Sequence, residues 1–148
     1  MSVIVSNRSE STLQFVATGR EILKYTIQKC LLLPKRITFV ITIKITDVVQ
    51  EFYRNIIHIK NMYEDKYLEE RINKCEECIS DLEYIASQLD IIKIFAGENI
   101  PEFNKDPKKK NHINSKQFET WLKLIETEIA LLKGLIKKDK ERLKETTN

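Results

Sequence analysis

Glycine and proline are nearly missing from this chain of 148 residues: there are three of each. Sheet proteins turn often, and their turns draw on Gly, Pro and Asn-Gly or Asp-Gly pairs. No such pair occurs here, so a sheet architecture is disfavoured. Three glycines cannot build a phosphate-cradling loop, and no P-loop, G-x-G-x-x-G or nucleophile-elbow pattern is found. The cysteines, Cys30, Cys75 and Cys78, are odd in number, which argues against a secreted disulfide framework. No apolar run approaches the ~18 residues of a membrane span, and no charged-then-apolar leader opens the sequence. These absences predict a soluble, cytoplasmic protein without a membrane partner.

Histidine is also scarce. His58 and His112 are the only two, and neither sits in a helical H-E-x-x-H setting. Cys75-Glu-Glu-Cys78 lacks the second pair of a zinc site and the βαβ context of a redox pair. At i, i+3 on a helix both sulfurs join the apolar stripe, and free cysteine is commonly buried. The paired Glu-x-x-His motifs of a di-iron bundle are missing too. No catalytic residue, metal site or cofactor is expected.

What is present is helical periodicity. Leu13, Val16, Leu23, Ile27 and Cys30/Leu31 recur at helical spacing, with Gly19 and Arg20 weakening the pattern until Pro34 ends it. Val48/Val49, Phe52, Ile56, Ile59 and Tyr63 mark a second helix. Leu68, Ile72, Cys75, Ile79, Leu82, Ala86 and Leu89 step by fours and threes through a third, widened by Cys78, Ile85 and Ile92. Asp65 is its candidate cap and Gly97 its stop. Asn114 and Gln117 have capping-box spacing before a fourth, whose apolar face is Phe118, Trp121/Leu122, Ile125, Ile129, Leu132 and Leu135/Ile136.

One stretch resists this reading. In RITFVITIKIT, residues 36–46, Ile37, Phe39, Ile41, Ile43 and Ile45 alternate as in a strand. A lone strand has no partner and is unstable. The helical period of Val48 onward also extends back through Ile45 to Ile41. The stretch is therefore expected to begin the second helix, with Thr38 as its N-cap. The predicted fold is all-α: an antiparallel up-down-up-down four-helix bundle over 11–138, with helices near 12–33, 38–63, 65–96 and 115–140. Residues 1–10 and 141–148 are expected to be flexible ends, and 97–114 a long loop.

Charge is unevenly spread: net +4 over 1–64, −6 over 65–104 and +5 over 105–148. Such a chain can present a basic face to an anionic partner. In an antiparallel bundle Lys35, Arg36, Lys108, Lys109, Lys110 and Lys116 fall at one end. Lys137, Lys138, Lys140, Arg142 and Lys144 fall at the other. All but Lys144 are the candidate nucleic-acid contacts. Phe39, Val40, Ile41 and Ile43 exceed what one face of a helix needs, as do Ile22 and Leu32. The first four are the candidate oligomer interface.

LLLPKRITF resembles the fPk-x-x-r-(f/y) turn of a bacterial four-helix-bundle superfamily. That superfamily includes the intervening-sequence proteins of large ribosomal RNA and the accessory variability determinants of diversity-generating retroelements. HINSKQFETWLKLIETEIALLKGLIKK resembles the latter's loop-to-helix-four region, with His112, the Ser115 cap and a Gly134-containing turn at the helix end. The likeness spans roughly residues 13–138. It implies a non-catalytic accessory subunit that assembles with itself into a pentameric barrel. It also implies binding to the retroelement reverse transcriptase and to template RNA and cDNA, in support of mutagenic retrohoming. The alternatives are an intervening-sequence-type bundle, or an oligomeric interaction scaffold that binds no nucleic acid. The third helix departs from the family's basic pattern, being acidic at Glu76, Glu77, Asp81, Glu83 and Asp90. That leaves the two basic ends as the expected nucleic-acid contacts.

Overall fold

The computed structural model describes residues 2–96 and 113–147, with side chains placed mainly over 14–94 and 113–146. The described residues are mostly helical, without strands: α1 (Ser2–Cys30), α2 (Ile43–Asn61), α3 (Leu68–Ala96) and α4 (Ser115–Thr147). Helix α1 begins ten residues before its expected start, and α4 runs seven beyond its expected end. Each helix packs on two others, α1 on α2 and α4, and α3 on α2 and α4, around one shared core. A stripe one face wide on each helix suffices for this, which is why polar residues fill the remaining positions. No helix among the described residues is long and apolar enough to cross a membrane.

Helix α3 buries Leu68, Ile72, Cys75, Cys78, Leu82, Ile85, Leu89 and Ile92, following the apolar stripe in its sequence. Helix α4 opens on the expected capping box. The Gln117 amide donates to Asn114 Oδ1 at 2.9 Å, and the Asn114 amide donates to Gln117 Oε1 at 3.0 Å. Two orphan donors of the first turn are thereby satisfied. Asp65 does not cap α3. It lies in a short 3-10 turn, Asp65–Tyr67, and its carboxylate pairs with Arg142 of α4. Gly134 is not in a turn. Helix α4 passes through it without interruption.

Helix α1 buries a different face from the one its apolar pattern marks. Phe15, Gly19, Ile22, Thr26 and Cys30 point inward, while Val16 and Leu23 sit at the margin. Ile22 is therefore core, not spare surface. Two of the five inward positions, Gly19 and Thr26, carry no apolar side chain of useful size, and α4 explains both. Thr26 Oγ1 accepts a hydrogen bond from Trp121 Nε1 at 2.9 Å, inside the core. Gly19 leaves room for the Glu128 carboxyl, because a Cβ there would lie 2.8 Å from Glu128 Oε2.

The strand-like stretch is helical but irregular. A 3-10 turn (Lys35–Ile37) leads into a π-helical turn (Thr38–Thr42), which runs directly into α2. Helical geometry starts before Thr38, so Thr38 is not its cap. Ile37, Ile41, Ile45 and Val49 recur every four residues and all face the core. On a straight α-helix that spacing drifts by about 40° per step. The wider π turn, with its i→i+5 hydrogen bonds, takes up part of the drift. The alternating residues thus divide: Ile37, Ile41 and Ile45 turn in, and Phe39 and Ile43 turn out.

Candidate interaction surfaces

The π turn that holds Ile41 inward drives its neighbours outward. Phe39 is 81% exposed, Val40 66% and Ile43 41%, and Leu31 at the end of α1 is 80% exposed. Phe39, Val40 and Ile43, three and four residues apart at the π turn and the start of α2, form an apolar patch of the kind that marks interfaces. Of the four expected interface residues, Phe39, Val40 and Ile43 fall on it. Ile41 is buried and belongs to the core. Leu32 is half-buried against that core. Leu31 was missed, since the α1 period placed it inward beside Cys30.

Around this patch Lys35 is exposed on the 3-10 turn and Lys116 is exposed on the first turn of α4. The Tyr25 hydroxyl donates to the Gln117 carbonyl at 3.0 Å, which ties the last turns of α1 to the start of α4. Trp121 consolidates the junction, edge-on to Tyr25 and stacked with Phe118, with ring centroids 6.1 and 6.3 Å away. Such aromatic pairs add about 0.5–1.5 kcal/mol each beyond their buried area. The Arg36 side chain and Lys108, Lys109 and Lys110 lie outside the described residues, as do Gly97 and His112.

At the other end of the bundle two arginines meet acidic partners. Arg71 Nε donates to Asp139 Oδ2 at 2.8 Å, and a second guanidinium N–H donates to the Met62 carbonyl at 3.1 Å. One side chain thus joins the end of α2, the start of α3 and the last turns of α4. Asp139 is 1% exposed, and its pKa is raised because burial outweighs the lowering by Arg71 and Arg142. Arg142, a candidate phosphate contact, is already engaged by Asp65. Lys137, Lys138 and Lys140 are exposed, and Lys138 lines the groove between α1 and α4.

Along the outer face of α3, Glu76, Glu77 and Glu83 are exposed and Asp81 is half-buried. Asp81 is pushed up to about 6, first by burial and then by Glu51 and Glu77. Buried Asn55 of α2 donates to Glu77 across the same seam at 3.5 Å.

Cys30, Cys75 and Cys78 are free and buried. Burial pushes the Cys75 thiol up to about 12 and Cys78 higher still, the opposite of an activated nucleophile. The Cys78 thiol points at the Phe52 carbonyl, 3.7 Å away. His58 is exposed on α2. Among the described residues no group of three His, Cys, Asp or Glu side chains could hold a metal ion. An open groove of about 240 Å³ between α1 and α4, lined by Phe15, Leu131 and Gly134 among others, is smaller than the usual small-molecule site.

The buried carboxyl of Glu128 is the feature that pattern reading missed entirely. It is 0% exposed, and neither oxygen has a hydrogen-bond partner. Burial raises it to about 9. Glu128 falls at an inward position between Ile125 and Leu132, so the apolar steps on either side were the available signal. No protein-family model matches the chain, and neither does any curated protein or solved structure.

Proposed function

We propose that this chain is a non-catalytic, self-assembling accessory subunit of the accessory-variability-determinant type. In this reading it binds a reverse transcriptase together with template RNA and cDNA. The observation that carries the reading is the outward apolar patch of Phe39, Val40 and Ile43, which begins where LLLPKRITF ends. An interface with a second copy would remove from water the surface that the core does not use. Large apolar side chains contribute roughly 1.5–3 kcal/mol each when fully buried, which would offset part of the cost of association. The partner number of five, and the barrel, come from the resemblance.

The order of contacts supports an antiparallel up-down-up-down bundle. Tyr25 reaches Gln117, Thr26 reaches Trp121 and Gly19 lies at Glu128, so numbers fall along α1 as they rise along α4. Met62 and Asp139 meet through Arg71 at the opposite end. With this topology Lys35 and Lys116 share the end that carries the apolar patch. Phosphate contacts there would be charge-driven and strongly salt-dependent. Arg142 is the weaker candidate, because Asp65 already engages it.

A second reading, an interaction scaffold without nucleic acid, is favoured by the acidic outer face of α3 and by the Arg142–Asp65 pair. Light scattering after size exclusion, with and without a short RNA at low and moderate salt, separates the two. The expected result is an oligomer near five times the 17.5 kDa chain that binds RNA and releases it as salt rises. Phe39→Glu with Val40→Glu should give a smaller, still helical species. An oligomer indifferent to RNA at low salt selects the scaffold. A monomer sinks both. A reverse-transcriptase gene with paired repeats beside the coding sequence would favour the retroelement reading. Coding within a ribosomal RNA gene would favour the intervening-sequence type.

A further inference from the structure

Glu128 lies on the core face of α4, between buried Ile125 and Leu132. Helix α1 offers it the bare backbone of Gly19, with a Cβ position only 2.8 Å from its Oε2. Helix α2 offers Ile56, whose side-chain carbons lie 3.4 Å from that same Cβ position. Helix α3 offers the Cys75 and Cys78 thiols, each of which feels the Glu128 charge. The other charged groups acting on those thiols are Arg71, Asp139 and Glu76 around Cys75, and Asp81 and Glu77 around Cys78. None of them hydrogen-bonds to the Glu128 carboxyl. An ionised carboxylate in this setting would be buried without a cation or a donor, which is among the most unfavourable arrangements in a protein interior.

We propose that Glu128 is a proton-held latch: neutral, it seals α4 against α1 at Gly19, and loss of its proton loosens that contact, so the bundle tightens on acidification. The device is independent of what the outer surface binds. A carboxyl held up to about 9 in the folded chain, against an ordinary value of 4.5, keeps its proton where the unfolded chain has released it. The folded state then binds one more proton than the unfolded state between those values. Stability from this group is fully present below about 4.5, falls as pH rises, and levels off above about 9. Over that window the folding constant should fall up to roughly tenfold per pH unit.

The test compares wild type with Glu128→Gln and Glu128→Leu by urea unfolding at half-unit steps from pH 5 to 9. The wild-type folding constant, divided by that of either variant, should fall steadily across the series. Asp81 and Asp139 are present in every protein compared and so cancel to first order. A carbon NMR titration of the Glu128 carboxyl in the folded wild type needs no variant. It should show a midpoint several units above that of an exposed glutamate. A midpoint in the ordinary range with the bundle intact would overturn the proposal, as would a ratio that does not change with pH.

Discussion

Two glycines lie inside helices of this bundle, and they should respond to the same substitution in opposite ways. In a helix interior Gly is about 0.8–1 kcal/mol less favourable than Ala. Neither Gly19 nor Gly134 has a positive φ, so alanine meets no backbone strain at either site. At Gly134 a Cβ would meet nothing within 4 Å. Gly134→Ala should therefore stabilise the protein by close to the full ~0.8–1 kcal/mol. For a chain of this size that raises Tm by about 2–4 °C. At Gly19 the same methyl would stand 2.8 Å from Glu128 Oε2 and 3.4 Å from Ile56. The carboxyl must move, and it is enclosed. Overpacking of this kind typically costs about 1–3 kcal/mol, enough to cancel or exceed the propensity gain. Glu128→Ala vacates the space, so in that background Gly19→Ala should recover its gain. The expected coupling in the double-mutant cycle is about 1 kcal/mol or more. Buried Trp121, the chain's one tryptophan, gives the fluorescence signal for urea unfolding. Equal stabilisation by both single substitutions, with no coupling to Glu128, would refute the close approach of α1 and α4 at this level.

Thr26→Val keeps the shape but removes the acceptor of the Trp121 indole N–H, leaving a buried donor unpaired. A loss of about 1–3 kcal/mol is expected by urea unfolding, and a change below 0.5 would show that the bond is not made. Arg71→Met strips buried Asp139 of its partner and should cost about 3–5 kcal/mol near neutral pH. Adding Asp139→Leu should return most of it, and a failure to recover would mean that the Met62 carbonyl contact matters more. Asp81→Asn removes a carboxylate repelled by Glu51 and Glu77. Since the Asp81 pKa is raised to about 6 in the folded chain, its ionisation should weaken folding as pH rises from about 3.8 to 6. The variant should then gain on wild type between pH 4 and pH 7 in thermal melts, and parallel melts would exclude the repulsion.

The elements that could be read from sequence are those whose information is local. Helix α3 keeps its apolar residues three and four apart, and each of the eight largely fills an inward place. The Asn114–Gln117 box needs only two side chains and the first turn beneath them. Helix α1 was read out of phase because its core face is set by partners about a hundred positions away. Thr26 is inward to hold Trp121, and Gly19 is inward to admit Glu128. Without those partners, Val16 and Leu23 look like the better stripe. Glu128 and Asp139 were invisible for the same reason, since a carboxylate in a helix is normally a solvated residue.

The stretch 36–46 combines both situations, and it explains why the candidate surface was only partly legible. Its alternation correctly signalled that apolar residues occupy two opposite directions. It did not say which residue takes which. That choice is made by the four-residue spacing of Ile37, Ile41, Ile45 and Val49, which a regular α-helix cannot keep on one face. The π turn accommodates the spacing and leaves Thr42 with a buried hydroxyl that has no partner. Thr46 bonds back to the Thr42 and Ile43 carbonyls at 3.0 and 2.9 Å, the kind of side-chain bond that bends helices. The irregular backbone and the exposed Phe39–Val40 pair are therefore one feature: the wide turn that seats Ile41 in the core also sets the two residues before it out in solvent. Any substitution that regularised this turn would redistribute both faces at once. The outer surface and the inner packing should consequently be tested with different residues, Phe39 and Val40 for the first and Ile41 for the second.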